Sequence, residues 1–177
     1  MLWSQKKFIQ TYKFAARAHE GQCVPGTKIS YVMHLSFVSI EVIAAFRLEP
    51  ETHDQDLAVQ CALLHDVIED TSTTYSDVVE QFGTAVADGI LALSKDKSLP
   101  ARLQLSDSLR RIREQPQEVW MVKLADRITN LQPAPDYWTQ DKKQRYKEEA
   151  TEIFETLRDS SGKLAARLLQ KINSYAV

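Results

Sequence analysis

Only five glycines and six prolines interrupt the 177 residues. They gather mainly in the GQCVPGTK stretch from Gly21 to Lys28, at Pro50, at Gly83, at Pro100 and in the QPAPD stretch around Pro133 and Pro135. These are the residues that interrupt helices, at roughly 1 kcal/mol for an interior glycine and roughly 3 kcal/mol for an interior proline, so the long segments between them are free to be helical. Apolar residues recur there at three- and four-residue steps: Phe8, Tyr12, Ala15 and Ala16; Val38, Val42 and Ile43; Leu57, Cys61 and Leu64. That period buries one helix face, and no comparable set of alternating strands competes with it. The expectation is an all-α chain, a compact helical bundle forming a single domain over 1–177.

Further helices are expected over about 76–82, 85–93, 101–114, 117–131, 139–159 and 161–175. The Thr/Ser cluster after Asp70 starts the first of these, and Ser160-Ser161-Gly162 reads as a helix junction rather than a domain boundary. With 44% hydrophobic residues the chain carries enough apolar surface for a continuous core. A formal net charge of -2 gives no basis for broad nucleic-acid or membrane binding, both of which draw on excess positive charge. The first twenty residues have the period of an amphipathic helix and not the order of a secretory signal, no apolar run approaches a membrane span, and Cys23 and Cys61 lie far apart. A cytoplasmic protein is expected.

Against this ordinary background, ALLHDVIEDT at 62–71 concentrates His65, Asp66, Glu69 and Asp70 at the end of an apolar run. On one continuous helix, His65 would stack over Glu69 and Asp66 over Asp70. Carboxylates at a helix C-terminus oppose the macrodipole, and a bound cation would remove that objection. A metal needs more ligands than one dipeptide provides. His34 sits among Val32, Met33, Leu35 and Phe37 near the start of an apolar helix, and Asp126 interrupts the apolar VWMVKLADRITNL run with Asn130 one turn on. Two imidazoles and two carboxylates form a mixed N/O set suited to Mn²⁺, Fe²⁺ or Zn²⁺. No glycine-rich phosphate loop and no nucleophile elbow is present.

The order AARAHEGQ, YVMH, ALLHDVIEDT, QFG, LSK and VKLADRITNL resembles the HD-domain metal-dependent phosphohydrolases, and within them the hydrolase domain of the RelA/SpoT-type alarmone enzymes and their small stand-alone relatives. The HDxxEDT and KLADRxxNL elements are specific to that branch, and the likeness covers about residues 8–150. It implies one divalent ion, usually Mn²⁺, held by His34, His65, Asp66 and Asp126, with Glu69 and Asp70 positioning and deprotonating the attacking water. It also implies substrate contacts from Lys95, Asn130, Lys142 and Tyr146, and release of the 3′-pyrophosphate of ppGpp.

One departure bears on substrate. Relatives that hydrolyse alarmones usually carry an Arg-Lys pair in the loop before the YxxH element, where this chain reads CVPGTKIS. Lys28 restores one positive charge there but not the planar fork of an arginine. The expected function is therefore a ppGpp 3′-pyrophosphohydrolase acting on a small phosphorylated nucleotide. Two alternatives stand beside it: the same chemistry on another nucleotide or phosphate ester, and a nucleotide-binding module without turnover. No opposing synthetase activity is expected. His19 is expected to support the loop or the ligands, His53 to be a solvated loop residue, and Trp3, Trp120 and Trp138 to pack.

Overall fold

The computed structural model describes residues 3–48 and 53–176; Pro50 and the two chain ends, parts of the expected 1–177 unit, lie outside them. Among the described residues the regular elements are helices: α1 (Gln5–Ala18), α2 (Val32–Phe46), α3 (Gln55–Leu64), α4 (Val67–Asp70), α5 (Tyr75–Phe82), α6 (Thr84–Leu93), α7 (Ala101–Arg113), α8 (Gln117–Asn130), α9 (Gln140–Leu157) and α10 (Gly162–Ser174). A 3₁₀ turn, Arg158–Ser160, joins the last two at the expected Ser160-Ser161-Gly162 junction. The sole strand-like pairing among the described residues is the isolated bridge Cys23–Ser30, which pinches the loop before α2.

Caps explain where several helices start. Asp54 accepts from Leu57 N ahead of α3, and Thr74 and Asp77 exchange side-chain and backbone bonds in a capping box at α5. Gly83 then turns the chain into α6 at φ +86°, a conformation that L side chains rarely adopt.

At the centre lies α3, packed against α1, α2, α6 and α8. Eight of its ten residues are buried, and from Cys61 to Leu64 it is apolar on every side, as a helix in the core must be. Its tight packing requires Gly89 on α6, where an added Cβ would stand 2.9 Å from Val119 Cγ2 and 3.0 Å from Cys61 Sγ. Gly89→Ala is therefore expected to lower stability in denaturant titrations by about 1–3 kcal/mol through overpacking. An unchanged midpoint would show that α6 and α8 separate freely.

On the outside, α10 is bound to α2 by a forked ion pair. Arg167 Nε donates to Glu41 Oε2 at 2.7 Å, and Nη2 donates to Oε1. The fork braces α2, which carries His34, from behind.

Candidate metal centre

The expected continuous helix through HDVIED does not form. Helix α3 ends at Leu64, and α4 begins at Val67, with Asp66 as its N-cap residue. The cause is local: His65 Nδ1 donates to the Ala62 carbonyl at 2.9 Å, a side-chain bond made within the last turn of the helix. The bend brings His65 Nε2 to 2.9 Å from Asp66 Oδ2. Neighbours in a regular helix point about 100° apart and do not meet in this way. Beyond the bend, Asp70 N resumes the pattern by donating to Asp66 O at 2.9 Å.

Helix α2 contributes His34 and α8 contributes Asp126. Donor atoms of His34, His65 and Asp66 all lie within 4.8 Å of one another. Asp126 Oδ1 joins them at 3.3 Å from His34 Nε2 and 3.7 Å from His65 Nε2. The two Nε2 atoms are 3.2 Å apart, and His34 Nε2 is 3.8 Å from Asp66 Oδ2. Ligands at about 2.1 Å from an ion stand about 3.0 Å apart in an octahedron and about 3.4 Å apart in a tetrahedron. The observed separations bracket these values, so the residues fit a metal ion.

Ring orientation points the same way. Thr129 Oγ1 donates to Asp126 O at 2.9 Å and so faces His34 Nδ1, 3.4 Å away, as an acceptor. Both histidines thus spend their Nδ1 protons on outer acceptors and turn their Nε2 atoms inward, the arrangement that prepares an imidazole to ligate. Asn130 Nδ2 donates to Asp126 Oδ1 at 2.5 Å, and Lys123 Nζ lies 3.5 Å from Oδ2.

Burial works against every charge here, yet the charges hold one another. For His65, burial disfavours the imidazolium, but the Asp66 carboxylate beside it and their hydrogen bond raise the pKa to about 9. Burial would likewise raise Asp66, and the His65 charge outweighs it, holding the carboxyl down to about 2. Asp126 falls well below the usual carboxylate range because Lys123 and the two histidines overcome burial.

The carboxylates thus favour a positive charge at this point, and a proton on His65 would compete for it with a bound metal. Because the folded pKa of His65 lies above its ordinary 6.5, its contribution to metal-free stability is full below about pH 6.5 and is lost as pH rises through about 9. Metal affinity should run oppositely, strengthening about tenfold per pH unit from pH 6 to 8 and levelling above 9. Titration calorimetry in buffers of different ionisation enthalpy checks the release of that proton. A flat affinity would show that no proton is displaced.

Glu69 and Asp70 border the same small cavity, about 150 Å³, together with Tyr31, His65, Asp66, Lys95, Lys123, Asp126 and Asn130. The loop after α6 fixes them: Lys95 N donates to Glu69 Oε2 at 2.8 Å, and Lys97 Nζ donates to Glu69 O at 2.6 Å and lies 3.5 Å from Asp70 Oδ1. The Lys95 ammonium stands 3.9 Å from Glu69 Oε1 and is half-exposed.

On the other side of His34 and Asn130 lies a larger groove of about 460 Å³, lined by Val24, Pro25, Met33, Phe37, Trp138 and Tyr146 among others. Tyr146 rests on the Arg127 guanidinium at 4.4 Å, and burial pushes its phenol up to about 12. Lys142 Nζ lies 4.2 Å from the centre of the Trp138 ring. Asn130 thus borders both cavities and Tyr146 the groove, while Lys142 reaches its rim through Trp138. Lys28 is exposed in the loop and lines neither cavity.

Three contributors escaped the sequence pattern: Tyr31, whose hydroxyl donates to Asp66 Oδ2 at 2.5 Å, Thr129 and Lys97. Tyr31 could have been found, since it stands three residues before His34. His53 is not the solvated residue expected. Its ring lies beside Phe46, with Nδ1 3.5 Å from the buried Glu118 carboxylate.

Residues 11–163 match the family model described as HD domain. Guanosine-3′,5′-bis(diphosphate) 3′-pyrophosphohydrolase MESH1 of Danio rerio is 30% identical over 167 residues, covering 92% of this chain and 90% of its own length. The bifunctional (p)ppGpp synthase/hydrolase SpoT of Escherichia coli K12 is 34% identical over 158 residues, which are 86% of this chain and 21% of that longer protein. A solved structure of a metazoan ortholog of SpoT that hydrolyzes ppGpp superposes with a TM-score of 0.82 at 26% identity, covering 98% of this chain and 97% of the other. Fold, N/O cluster and relatives together define a metal-dependent hydrolase. The chain belongs to the HD domain family.

Proposed function

We propose that this protein is a Mn²⁺-dependent 3′-pyrophosphohydrolase of guanosine-3′,5′-bis(diphosphate). The observation that carries the proposal is the meeting of His65, Asp66 and Asp126 with Glu69 and Asp70 around one small cavity, with His34 Nε2 3.3 Å from Asp126 Oδ1, in a chain that matches a pyrophosphohydrolase over nearly its whole length. His34, His65, Asp66 and Asp126 would hold the ion, which when bound would supply Lewis-acid polarisation of a phosphoryl oxygen and lower the pKa of a water toward about 7. Glu69 and Asp70 orient the attacking water and take its proton. As the water oxygen bonds to phosphorus, the bond from that phosphorus to the 3′ oxygen breaks, and the proton taken from the water passes from the carboxylates to that oxygen, leaving a 3′ hydroxyl and free pyrophosphate. Lys95 balances the charge of the departing pyrophosphate, and Asn130 holds Asp126 while facing the nucleotide.

The nucleoside lies in the groove beyond His34, against Trp138 and Tyr146, with Lys142 at the rim. Both cysteines are free thiols, in keeping with a cytoplasmic protein. No helix among the described residues is long and apolar enough to cross a membrane.

A second substrate within the same chemistry is favoured by one feature. Where alarmone hydrolases usually place an Arg-Lys pair, Val24 and Pro25 line the groove. A Mn²⁺-dependent assay on ppGpp beside a panel of other phosphorylated nucleotides separates the cases. Release of pyrophosphate from ppGpp supports the proposal, whereas cleavage of another nucleotide with ppGpp intact moves the substrate. Measurable binding with no turnover of any nucleotide would leave a non-catalytic module.

A further inference from the structure

We infer that Tyr31 is a positioning residue of the metal centre: its hydroxyl selects the face that Asp66 presents to the ion, and His19 holds its ring in place. The inference rests on the proposed metal site. Tyr31 stands at the start of α2, where its backbone N donates to Gln22 O at 3.0 Å. From there its hydroxyl donates to Asp66 Oδ2 at 2.5 Å. A carboxylate oxygen has two in-plane lone pairs. With one given to Tyr31, the other is left for the cluster, where His65 Nε2 lies 2.9 Å away. The hydrogen bond therefore fixes both the rotation of the Asp66 side chain and the lone pair that a cation would meet.

The Tyr31 ring also touches a second ligand, its centre 5.3 Å from that of His34. Beside it lies His19, the C-cap residue of α1, with ring centres 5.1 Å apart and planes tilted by 34°. His19 is 1% exposed and is held through Nδ1 by Gln22 Oε1 at 2.6 Å, while its Nε2 is buried without a hydrogen-bond partner. Gln22 consequently grips both residues, Tyr31 by its backbone carbonyl and His19 by its side chain. The chain from α1 through the loop to Asp66 is continuous, and of its members only Asp66 belongs to the proposed ligand set.

A phenylalanine at position 31 keeps the ring packing and removes only the donor. Titration calorimetry with Mn²⁺, and the visible absorption of the Co²⁺ complex, are measured on the full chain for wild type and Tyr31→Phe. Partners behind a metal ligand are commonly worth about 10- to 100-fold in affinity, so the expected result is binding weakened about tenfold or more with a shifted Co²⁺ spectrum. Equal or tighter binding with an unchanged spectrum overturns the inference. Failure of the wild type to bind either ion would instead overturn the metal site beneath it. If Tyr31→Phe loses its helical circular dichroism, the His19 pair decides. Weaker Mn²⁺ binding in His19→Ala, restored in His19→Phe, supports the clamp, and wild-type affinity in both removes it.

Discussion

Asp126→Ala is expected to purify without its divalent ion and to lose at least about 1,000-fold in turnover, because several kcal/mol of transition-state stabilisation go with the metal. Asp126 is only 8% exposed and serves five groups at once: His34, His65, Lys123, Asn130 and the proposed ion. Without its charge, Lys123 loses its counter-ion inside the protein. Removing one partner from such a buried set typically costs about 3–5 kcal/mol, so a lower melting temperature should accompany the loss of metal. Asp126→Asn keeps the volume and separates the two effects, since it should recover part of the stability while still binding metal poorly. Elemental analysis reads the outcome directly. Metal content equal to wild type in both variants would remove Asp126 from the ligand set.

Glu69→Gln should give the opposite division, with metal content unchanged and kcat lowered by about 10²- to 10⁴-fold, the usual range for a lost general base. The structure makes this variant cleaner than an alanine. The Glu69 carboxylate accepts from the Lys95 backbone N at 2.8 Å, and the amide oxygen of glutamine can accept that same hydrogen bond. The geometry of the loop is thereby retained and the basic charge lost. Asp70→Asn, whose partner Lys97 stands 3.5 Å away on the surface, tests the second carboxylate in the same assay. Near-wild-type kcat in both variants would show that neither carboxylate handles the water, and a large loss of metal in Glu69→Gln would make it a ligand instead.

Much of this site is legible in the sequence for a physical reason: a polar residue inside an apolar helical run needs a partner. His34 and Asp126 stand out by that test, and the structure sets them 3.3 Å apart. Several helix boundaries follow glycine and proline, as at Gly83 between α5 and α6, whereas Gly89 lies inside α6 for packing. The break between Leu64 and Val67 does not, because a side-chain bond from His65 to the Ala62 carbonyl causes it and no propensity records such a bond. Tyr31 did not stand out by that test, because a tyrosine at the start of an apolar helix is accounted for by packing alone, and only the fold shows its hydroxyl on Asp66. The groove is assembled from the Val24–Pro25 loop, α2, the segment after α8, α9 and the end of the chain, so no single stretch announces it.

The interruption after Leu64 separates two kinds of control. At its start, His65 caps a buried helix and inherits the rigidity of the core. Beyond it, Glu69 and Asp70 take their positions from the exposed segment carrying Lys95 and Lys97. An unbroken helix would have coupled the two, so that any adjustment of one tilted the other. On the proposed roles, the surface segment could vary in length or composition and retune the reaction, while the grip on the ion would stay under the protection of the interior.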